Sequence, residues 1–463
     1  MHTKGPAAAV VVLWLVVLNA CDAGERAVAP RADGGPSAEF DPESCTVPDN
    51  CDDTSHVIDS ASADVEDCPT ADVPTRGLLW QQELHDVSCP LGTCRLEPVQ
   101  LAPEPDGGVI VIASALYYTS TYIPVEGGIA ALRCSATGEL TAQALWDFHV
   151  VPQDITIERR PSLLTDASGQ LLYASARAIM PADRPRSLTI APLAADESPR
   201  TLAPRFKSAA TRPSLVRFGP SGDVLVVSAQ RTDAPVEPAG SDGWWARWGV
   251  RASVTLFDQH GHARWNRVWP AHEQSTRIDA AHIDDQGNVT LLIRANMEPG
   301  HGSRVVQLAR DGSMRWQRLV PGGSGFSDLA VASDGSAYVY HRSAQTTDPP
   351  PRLVERLDKD GQSTHVWSLP SSNQVSAHLS EGAGGQIWVT LKGITAAGAH
   401  ELRVLSFDGS NACSESARYE WPTSFSLGGS ETDVVALVAR DDATAYISSR
   451  HLFGQLDTGG GAP

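Results

Sequence analysis

The chain has 463 residues, and its 55 acidic side chains outnumber its 36 lysines and arginines, which gives a net charge of −19. So large a negative charge disfavours nucleic acids and anionic membrane surfaces as partners, because both would repel the protein. Composition alone indicates no activity.

The first 20 residues are typical of a signal peptide. Lys4 supplies a positive charge, and the apolar run of residues 7–18 is too short to span a bilayer. The run ends in LNAC (residues 18–21), which resembles the lipobox of bacterial lipoproteins. This resemblance implies a lipoprotein signal peptide over residues 1–20, a lipidated Cys21, and a protein anchored to a bacterial membrane of the cell envelope, on its periplasmic or surface side. The alternative is an ordinary secretory peptide in which Cys21 is incidental.

Residues 21–76 are predicted to form a disordered acidic linker. After Cys21 the segment contains 14 acidic and three basic side chains and almost no aromatic residues. Such a segment repels itself and cannot bury enough apolar surface to offset the entropy lost on ordering. We therefore expect it to hold a folded domain, residues 77–463, away from the membrane.

A repeat begins near residue 97 and recurs about every 50–60 residues, the range of β-propeller blades. Each unit has a first strand, a turn containing Gly or Asp, a second strand, a variable loop, a third strand and, in most units, a fourth strand with a tryptophan. The β-branched runs between turn residues indicate strands, and no helical period competes with them. The second strands are GVIVIAS, QLLYASA, DVLVVSA, NVTLLIR, SAYVYHR, QIWVTLK and TAYISSR. The sequence therefore predicts an all-β protein, a seven-bladed β-propeller.

The stretch GLLWQQEL (residues 77–84) stands alone before the repeat, whereas the last unit stops at Pro463 without its fourth strand. A strand supplied from the N-terminal side would complete this unit and leave no long open edge. The prediction is a propeller closed by an N-terminal strand.

Seven cysteines remain once the lipidated one is set aside, so one should be unpaired. In a propeller the turns between third and fourth strands lie on one face. This places Cys68 near both Cys134 and Cys413, and either could pair with it. Cys89 and Cys94 lie in a loop expected on the opposite face and are expected to pair with each other.

The turn-plus-tryptophan strings FDQHGHARW and ARDGSMRW are similar to the repeats of PQQ-like, quinoprotein-type propellers. The resemblance implies the propeller fold over most of the chain. Quinoprotein dehydrogenases characteristically carry adjacent cysteines over the quinone, and this sequence has no Cys-Cys pair, so no cofactor is predicted. The repeat tryptophans are expected to pack between blades, where a ring buries a large area. They are Trp80, Trp146, Trp265, Trp316, Trp367 and Trp421.

Two loops between second and third strands carry aromatic clusters that the repeat does not require. One holds Trp244, Trp245 and Trp248, and the other holds Tyr117 and Tyr118. Extra loop length in a repeat protein usually maps to one face, often the binding face. We expect these rings to share a recognition site with apolar anchors and a polar rim. The alternative is that they cap the blade tops.

No catalytic or metal site is predicted. Asp457-Thr458-Gly459 has the letters of an aspartic-protease half-site, but no second copy exists to share a proton. His260 and His262 flank a glycine in a turn and lack further ligands at suitable spacing. The resulting hypothesis is a binding or scaffold module for an unknown protein or glycan partner. The alternative is a quinoprotein-like oxidoreductase or a propeller hydrolase.

Overall fold

The structure is a computed structural model, and it describes strands and turns from residue 57 to residue 457. The described residues are 57–58, 65–69, 75–76, 78–84, 87–89, 92–104, 106–118, 124–150, 162–165, 171–177, 187–192, 200–202, 211–219, 222–235, 248–258, 262–269, 276–295, 303–320, 328–342, 351–370, 373–382, 386–394, 400–407, 412–421, 434–439, 444–449 and 452–457. Cys21 and the predicted signal peptide lie outside these residues. Within them, no helix has the length and apolar character needed to cross a membrane.

The regular elements that the structure describes are all strands. In chain order they are β1 (Val57–Ile58), β2 (Val65–Asp67), β3 (Thr75–Arg76), β4 (Leu78–Glu83), β5 (Val87–Cys89), β6 (Gly92–Pro103), β7 (Val109–Tyr118), β8 (Pro124–Cys134), β9 (Leu140–Val150), β10 (Ser162–Thr165), β11 (Leu171–Arg177), β12 (Ser187–Pro192), β13 (Arg200–Leu202), β14 (Thr211–Phe218), β15 (Val224–Pro235), β16 (Trp248–Phe257), β17 (Ala263–Trp269), β18 (Thr276–Ile283), β19 (Val289–Ala295), β20 (Ser303–Leu308), β21 (Met314–Val320), β22 (Asp328–Val331), β23 (Ala337–Arg342), β24 (Arg352–Leu357), β25 (Ser363–Ser368), β26 (Asn373–Glu381), β27 (Ile387–Ile394), β28 (His400–Phe407), β29 (Cys413–Trp421), β30 (Val434–Ala439), β31 (Thr444–Ser449) and β32 (Leu452–Asp457).

Consecutive strands pair antiparallel into sheets that stand around a ring. The described sheets contain β6–β9, β10–β13, β14–β17, β18–β21, β22–β25, β26–β29 and β30–β32. The first strands of successive sheets contact one another, from β6 round to β30, and β30 contacts β6 again. Antiparallel sheets arranged radially in a closed ring are the β-propeller architecture.

Five of these sheets contribute to hydrophobic cores in the described part of the chain, and we count these as blades. They are β6–β9, β14–β17, β18–β21, β22–β25 and β26–β29. For β10–β13 and β30–β32 the structure describes the backbone pairing, and their side chains, apart from that of Gln455, lie outside the described residues. By this count the described part of the chain has five blades rather than seven, so the predicted seven-bladed propeller is wrong. The sequence pattern predicts β-hairpins, whereas a blade in this count also needs apolar side chains that pack against a neighbouring sheet.

The cores lie between neighbouring blades. Leu225, Val254 and Leu291, for example, pack together across the boundary between β14–β17 and β18–β21, and each is fully buried. The sheets β18–β21 and β22–β25 each contribute to a core on both sides, so both of their faces are buried. This packing holds the first strands side by side around the axis.

The N-terminal segment follows the outside of the ring. β1 adds parallel to β21, β2 to β25 and β3 to β29, so three successive blades gain an outer fifth strand. The predicted disordered tether is therefore wrong at these positions, because the unpaired backbone of an outer strand offers hydrogen bonds that composition does not reveal. We call β1, β2 and β3, together with Cys68, the strap.

The closing strand pairs as the sequence predicts. β4 runs antiparallel to β32, with Trp80 opposite Gln455. The Trp80 indole N–H donates to the Gln455 side-chain oxygen at 2.8 Å and to the Ala136 carbonyl at 2.9 Å. This strand therefore joins the last sheet to the turn of the first blade.

Three of the described repeat tryptophans form a hydrogen bond to the next sheet in the same manner, which confirms their predicted role between blades. Each indole N–H donates to a carbonyl in the turn between the third and fourth strands of the following sheet. The acceptors are Ala136 for Trp80 (2.9 Å), Arg310 for Trp265 (2.9 Å) and Lys359 for Trp316 (3.0 Å). The side chains of Trp146 and Trp421 lie outside the described residues.

Cys68 forms a disulfide with Cys413, and their Cα atoms are 5.5 Å apart. Of the two partners that the sequence left open for Cys68, Cys134 and Cys413, the structure therefore uses Cys413. The bond ties the strap to β29. Cys134 is a free, fully buried thiol, and burial raises its pKa to about 11. Cys94 is buried and disulfide-bonded, whereas the side chain of Cys89 lies outside the described residues.

Candidate functional site

The aromatic residues of the two long loops lie at equivalent ends of their blades. Tyr117 and Tyr118 are the last residues of β7, and Trp248 is the first residue of β16. Both positions border a connection between a second and a third strand. Because the blades repeat the same antiparallel order, these connections emerge on one face of the ring. Trp244 and Trp245 lie outside the described residues.

The hairpins that carry these loops are extended. β7 has 10 residues and β15 has 12, whereas β23, the second strand of another blade, has 6. The pairing shifts register between Tyr117 and Tyr118, and again between Arg231 and Pro235. Irregularities of this kind bend a strand and re-aim its end, and they are frequent beside binding sites. In two blades the hairpin formed by the second and third strands is thus longer than the repeat requires.

A cluster of ionisable side chains on the first strands was missed by the sequence analysis. The Nδ1 atom of His378 on β26 lies 2.6 Å from Oδ2 of Asp328 on β22. The same carboxylate accepts the backbone N–H groups of Leu329 (2.9 Å) and Leu379 (2.8 Å). Burial alone would lower the pKa of His378, but the charge and hydrogen bond of Asp328 outweigh it and raise the pKa above its ordinary value.

Three further polar side chains occupy one register position of this ring. Arg217, His282 and Ser380 each lie two residues before the first residue of the turn that leaves their first strand, at Gly219, Asp284 and Gly382 respectively. A Cβ atom built on Gly219 would lie 3.1 Å from Cγ2 of Ile283, so the ends of β14 and β18 stand at one height. The three residues therefore hold equivalent positions on the inner strands of their blades.

These residues have unused hydrogen-bonding capacity. Within the described residues, Nδ1 of His282 and Oγ of Ser380 are buried without a hydrogen-bond partner. The Arg217 guanidinium donates to the carbonyl of Val216 at 2.9 Å and forms no ion pair with any described residue. Burial lowers the pKa of His282, and the positive charge of Arg217 lowers it further. The imidazole is therefore held neutral beside a cation.

Two acidic residues lie further along the chain than these positions, at or just beyond the end of a first strand. Glu381 ends β26, and Asp285 lies in the turn after β18. Burial raises the pKa of Glu381, and the charge of Asp285 raises it further. In the described part of the chain no group of three or more His, Cys, Asp or Glu side chains could hold a metal ion.

A sequence signal for this cluster exists in retrospect. The first strands carry ionisable residues inside otherwise apolar runs, as in LVRF, AAHI and SAHL. A single such residue is unremarkable, and only the superposition of the repeats places Arg217, His282 and Ser380 at one position.

No protein-family model and no curated protein matches the sequence. Among solved structures, the chain is similar to a hydrazine synthase of Kuenenia stuttgartiensis, with 11 % identity, a TM-score of 0.50, and coverage of 78 % of this chain and 96 % of that one. A protein of unknown function from Dyadobacter fermentans matches with 9 % identity and a TM-score of 0.44, over 82 % of this chain and 98 % of that chain. A calcium-binding regucalcin of Agrobacterium tumefaciens matches with 12 % identity and a TM-score of 0.35, over 83 % and 94 %.

At such low identity these similarities bear on the fold alone. The ring of sheets, together with the similarity to the hydrazine synthase, defines the class: the chain is a β-propeller protein. It carries an intramolecular disulfide between Cys68 and Cys413. The similarities transfer no activity to it.

Proposed function

We propose that the protein is a lipid-anchored β-propeller of the bacterial cell envelope that acts as a binding or scaffold module for a protein or glycan partner. The observation that carries the proposal is the placement of Tyr117, Tyr118 and Trp248 at the ends of two extended hairpins on one face. Aromatic residues on loops held by a rigid scaffold are the usual make-up of a recognition surface.

The rest of the ring supports a scaffold role. The closing strand, the strap and the Cys68–Cys413 disulfide tie together sheets that are far apart in sequence. A ring held in this way presents its loops with little loss of conformational entropy on binding. The turn-plus-tryptophan repeats further support kinship with PQQ-like propellers, and the LNAC string supports the anchor.

The binding proposal is tested by a quantitative pull-down from envelope extract with the mature chain as bait. Tyr117→Ala with Tyr118→Ala, and separately Trp248→Ala, should lower retention of the partner roughly tenfold or more. Leu140→Ala is the matched control, because Leu140 is 46 % exposed and follows a turn on the opposite face. Melting temperatures of all variants should stay near that of the unmodified chain.

Two outcomes would contradict binding at this face. Retention could fall equally in Leu140→Ala, or the aromatic variants could melt early and bind normally, which is the behaviour of structural caps. The anchor is tested separately by labelling cells with a fatty-acid analogue. Cys21→Ala should lose the label, and equal labelling would contradict lipidation.

A further inference from the structure

The strap occupies the outer edges of three consecutive blades and, among the described residues, begins one blade after β14–β17. We propose that the outer edge of β17 is a docking site for an extended segment of this same chain, Val47-Pro48-Asp49, which adds to β17 as a parallel strand. A recurring sequence triplet, a shared register and the available edge of β17 support this docking.

The strap carries a short sequence repeat. β1 and β2 start at the valines of Val57-Ile58-Asp59 and Val65-Glu66-Asp67, and β3 starts at the last residue of Val73-Pro74-Thr75. The triplet Val47-Pro48-Asp49 precedes these three, and the four valines are 10, 8 and 8 residues apart. An eight-residue step carries the chain from the blade of β1 to the blade of β2, so ten residues suffice for the step before it.

The order of the triplets follows the order of the blades. β1 pairs with β21, β2 with β25 and β3 with β29, so each step along the strap advances by one blade around the ring. The blade before β18–β21 is β14–β17, whose fourth strand is β17. The triplet that precedes β1 therefore corresponds to β17.

The first residues of the triplets share one register. Val57 lies opposite Gln317, and Val65 lies opposite Val366. Each partner is the fifth residue after the glycine of the turn that precedes its strand. The equivalent residue of β17 is Asn266, and we expect Val47 opposite it.

The third residues of the triplets agree independently. Asp67 lies opposite Ser368, and Thr75 lies opposite Arg418. Both partners pair on their other side with the residue four positions before the end of the third strand. In β14–β17 the residue at this place is Val268, and we expect Asp49 opposite it. Both ends of the triplet thus give the same alignment.

The backbone of β17 offers hydrogen bonds at this height. The Cys68 N–H, which follows the β2 triplet, donates to the Ser368 carbonyl at 3.0 Å, so Ser368 directs its backbone groups outward. Val268 is its equivalent, and among the described residues β17 ends its sheet with no strand on this edge. Such an edge is a template for a further strand. The Asn50 N–H would take the place of the Cys68 N–H.

The side chains of β17 are also exposed where those of β21 are covered. Gln317 and Arg318, the partners of β1, are 5 % and 2 % exposed. Their equivalents Asn266 and Arg267 are only partly buried in the described structure. A strand added to β17 would remove this difference.

The chemistry of the two partners is complementary. β17 contains two arginines and no acidic residue, whereas residues 22–56 are strongly acidic. The strap gives a precedent, because Oε1 of Glu66 lies 4.0 Å from Nε2 of His365 on β25. Pro48 lacks an N–H, so this triplet forms one hydrogen bond fewer. Pro74, directly before β3, has the same place in its own triplet.

The test is hydrogen–deuterium exchange of the complete mature chain, measured by mass spectrometry in the peptide that covers β17. Replacing residues 46–50 by Gly-Ser-Gly-Ser-Gly should speed exchange of the outward-facing β17 amides roughly tenfold or more, because these amides lose their acceptors. The same replacement at residues 36–40, which contain no such triplet, is the matched control and should leave the rate unchanged. The peptide that covers β21 is the internal reference.

Two proline variants test the register. Asn50→Pro removes the donor to Val268 and should speed exchange in β17. Asp49→Pro should not, because backbone groups alternate along a strand and the Asp49 N–H would point away from the edge. Equal effects of the two variants would overturn the proposed pairing.

Three other outcomes would overturn the proposal. Equal exchange in the chains altered at residues 46–50 and 36–40 would leave the edge to an external partner. Faster exchange in β21 as well as in β17 would indicate general destabilisation. Protection of β17 that rises with protein concentration, together with elution as a dimer, would show that a second copy supplies the triplet.

Discussion

At the scale of single residues, glycines and tryptophans of different sheets fit together. Gly312 has a φ of +83°, and a Cβ atom there would lie 2.7 Å from Cγ of Trp265. Gly138 has the same φ and the same relation to Trp80, at 2.6 Å from Cδ2. The glycine is therefore needed both for the left-handed turn and for the close approach of the indole from the neighbouring sheet. This explains why the turn and the tryptophan recur together.

The contribution of this close approach can be measured with a matched pair of variants. Gly335 also has a φ of +83°, but a Cβ atom there would have nothing within 4 Å. Gly335→Ala should therefore cost only the left-handed strain, about 1 kcal/mol of unfolding free energy. Gly312→Ala should cost about 1–3 kcal/mol more, because the Trp265 ring must move. Urea unfolding of both variants checks this, and equal losses would contradict the interlock.

The His378–Asp328 pair predicts a pH dependence. Because the folded pKa of His378 is raised, its stabilising effect is complete below the ordinary histidine value of 6.5 and is lost as pH rises through the folded pKa. In Asp328→Asn only burial remains, so the pKa should fall below 6.5. Imidazole titration by NMR checks both values. The stability difference between the two proteins should shrink with rising pH, and a constant difference would contradict the pairing.

At the scale of elements, the strap shows how backbone pairing overrides composition. β2 is VED, a sequence typical of a solvated acidic segment, and its three residues are exposed. It is nevertheless a strand because the outer edge of β25 offers unpaired backbone groups, and Cys68 N–H then donates to the Ser368 carbonyl at 3.0 Å. The disulfide follows directly after this contact.

The disulfide should stabilise the protein substantially, since it links residues 345 positions apart. Replacing Cys68 and Cys413 by alanine should lower the unfolding free energy by about 2–4 kcal/mol. Cys134→Ala is the control, because that thiol is buried but unpaired, and it should cost about 1 kcal/mol. Chemical denaturation measures both. A larger loss in the control than in the double variant would contradict a structural role for the bond.

At the scale of the whole molecule, the N-terminal segment both wraps and closes the ring. Deleting residues 22–70 removes β1, β2 and the disulfide, so it should lower stability, contrary to what a free linker would do. Deleting residues 22–85 also removes β3, which pairs with β29, and β4, which leaves the edge of β32 exposed.

The second truncation should be less stable than the first by about 3–5 kcal/mol, the usual loss for a large aromatic residue together with its strand pairing. Thermal and urea unfolding of the two truncated chains measure the difference. Equal stability would show that β4 does not close the ring.

The sequence by itself determined the all-β class, the four-stranded unit, the turns and the origin of the closing strand, because strand alternation and turn chemistry depend on neighbouring residues. Trp80 in an isolated strand was sufficient to predict its pairing with the last unit. Only the tertiary structure decided the number of blades with packed cores, the strap on β21, β25 and β29, and the choice of Cys413 over Cys134. It also brought Arg217, His282 and Ser380 to one height. These features depend on which edges and side chains meet across hundreds of residues, and the local sequence does not specify such encounters.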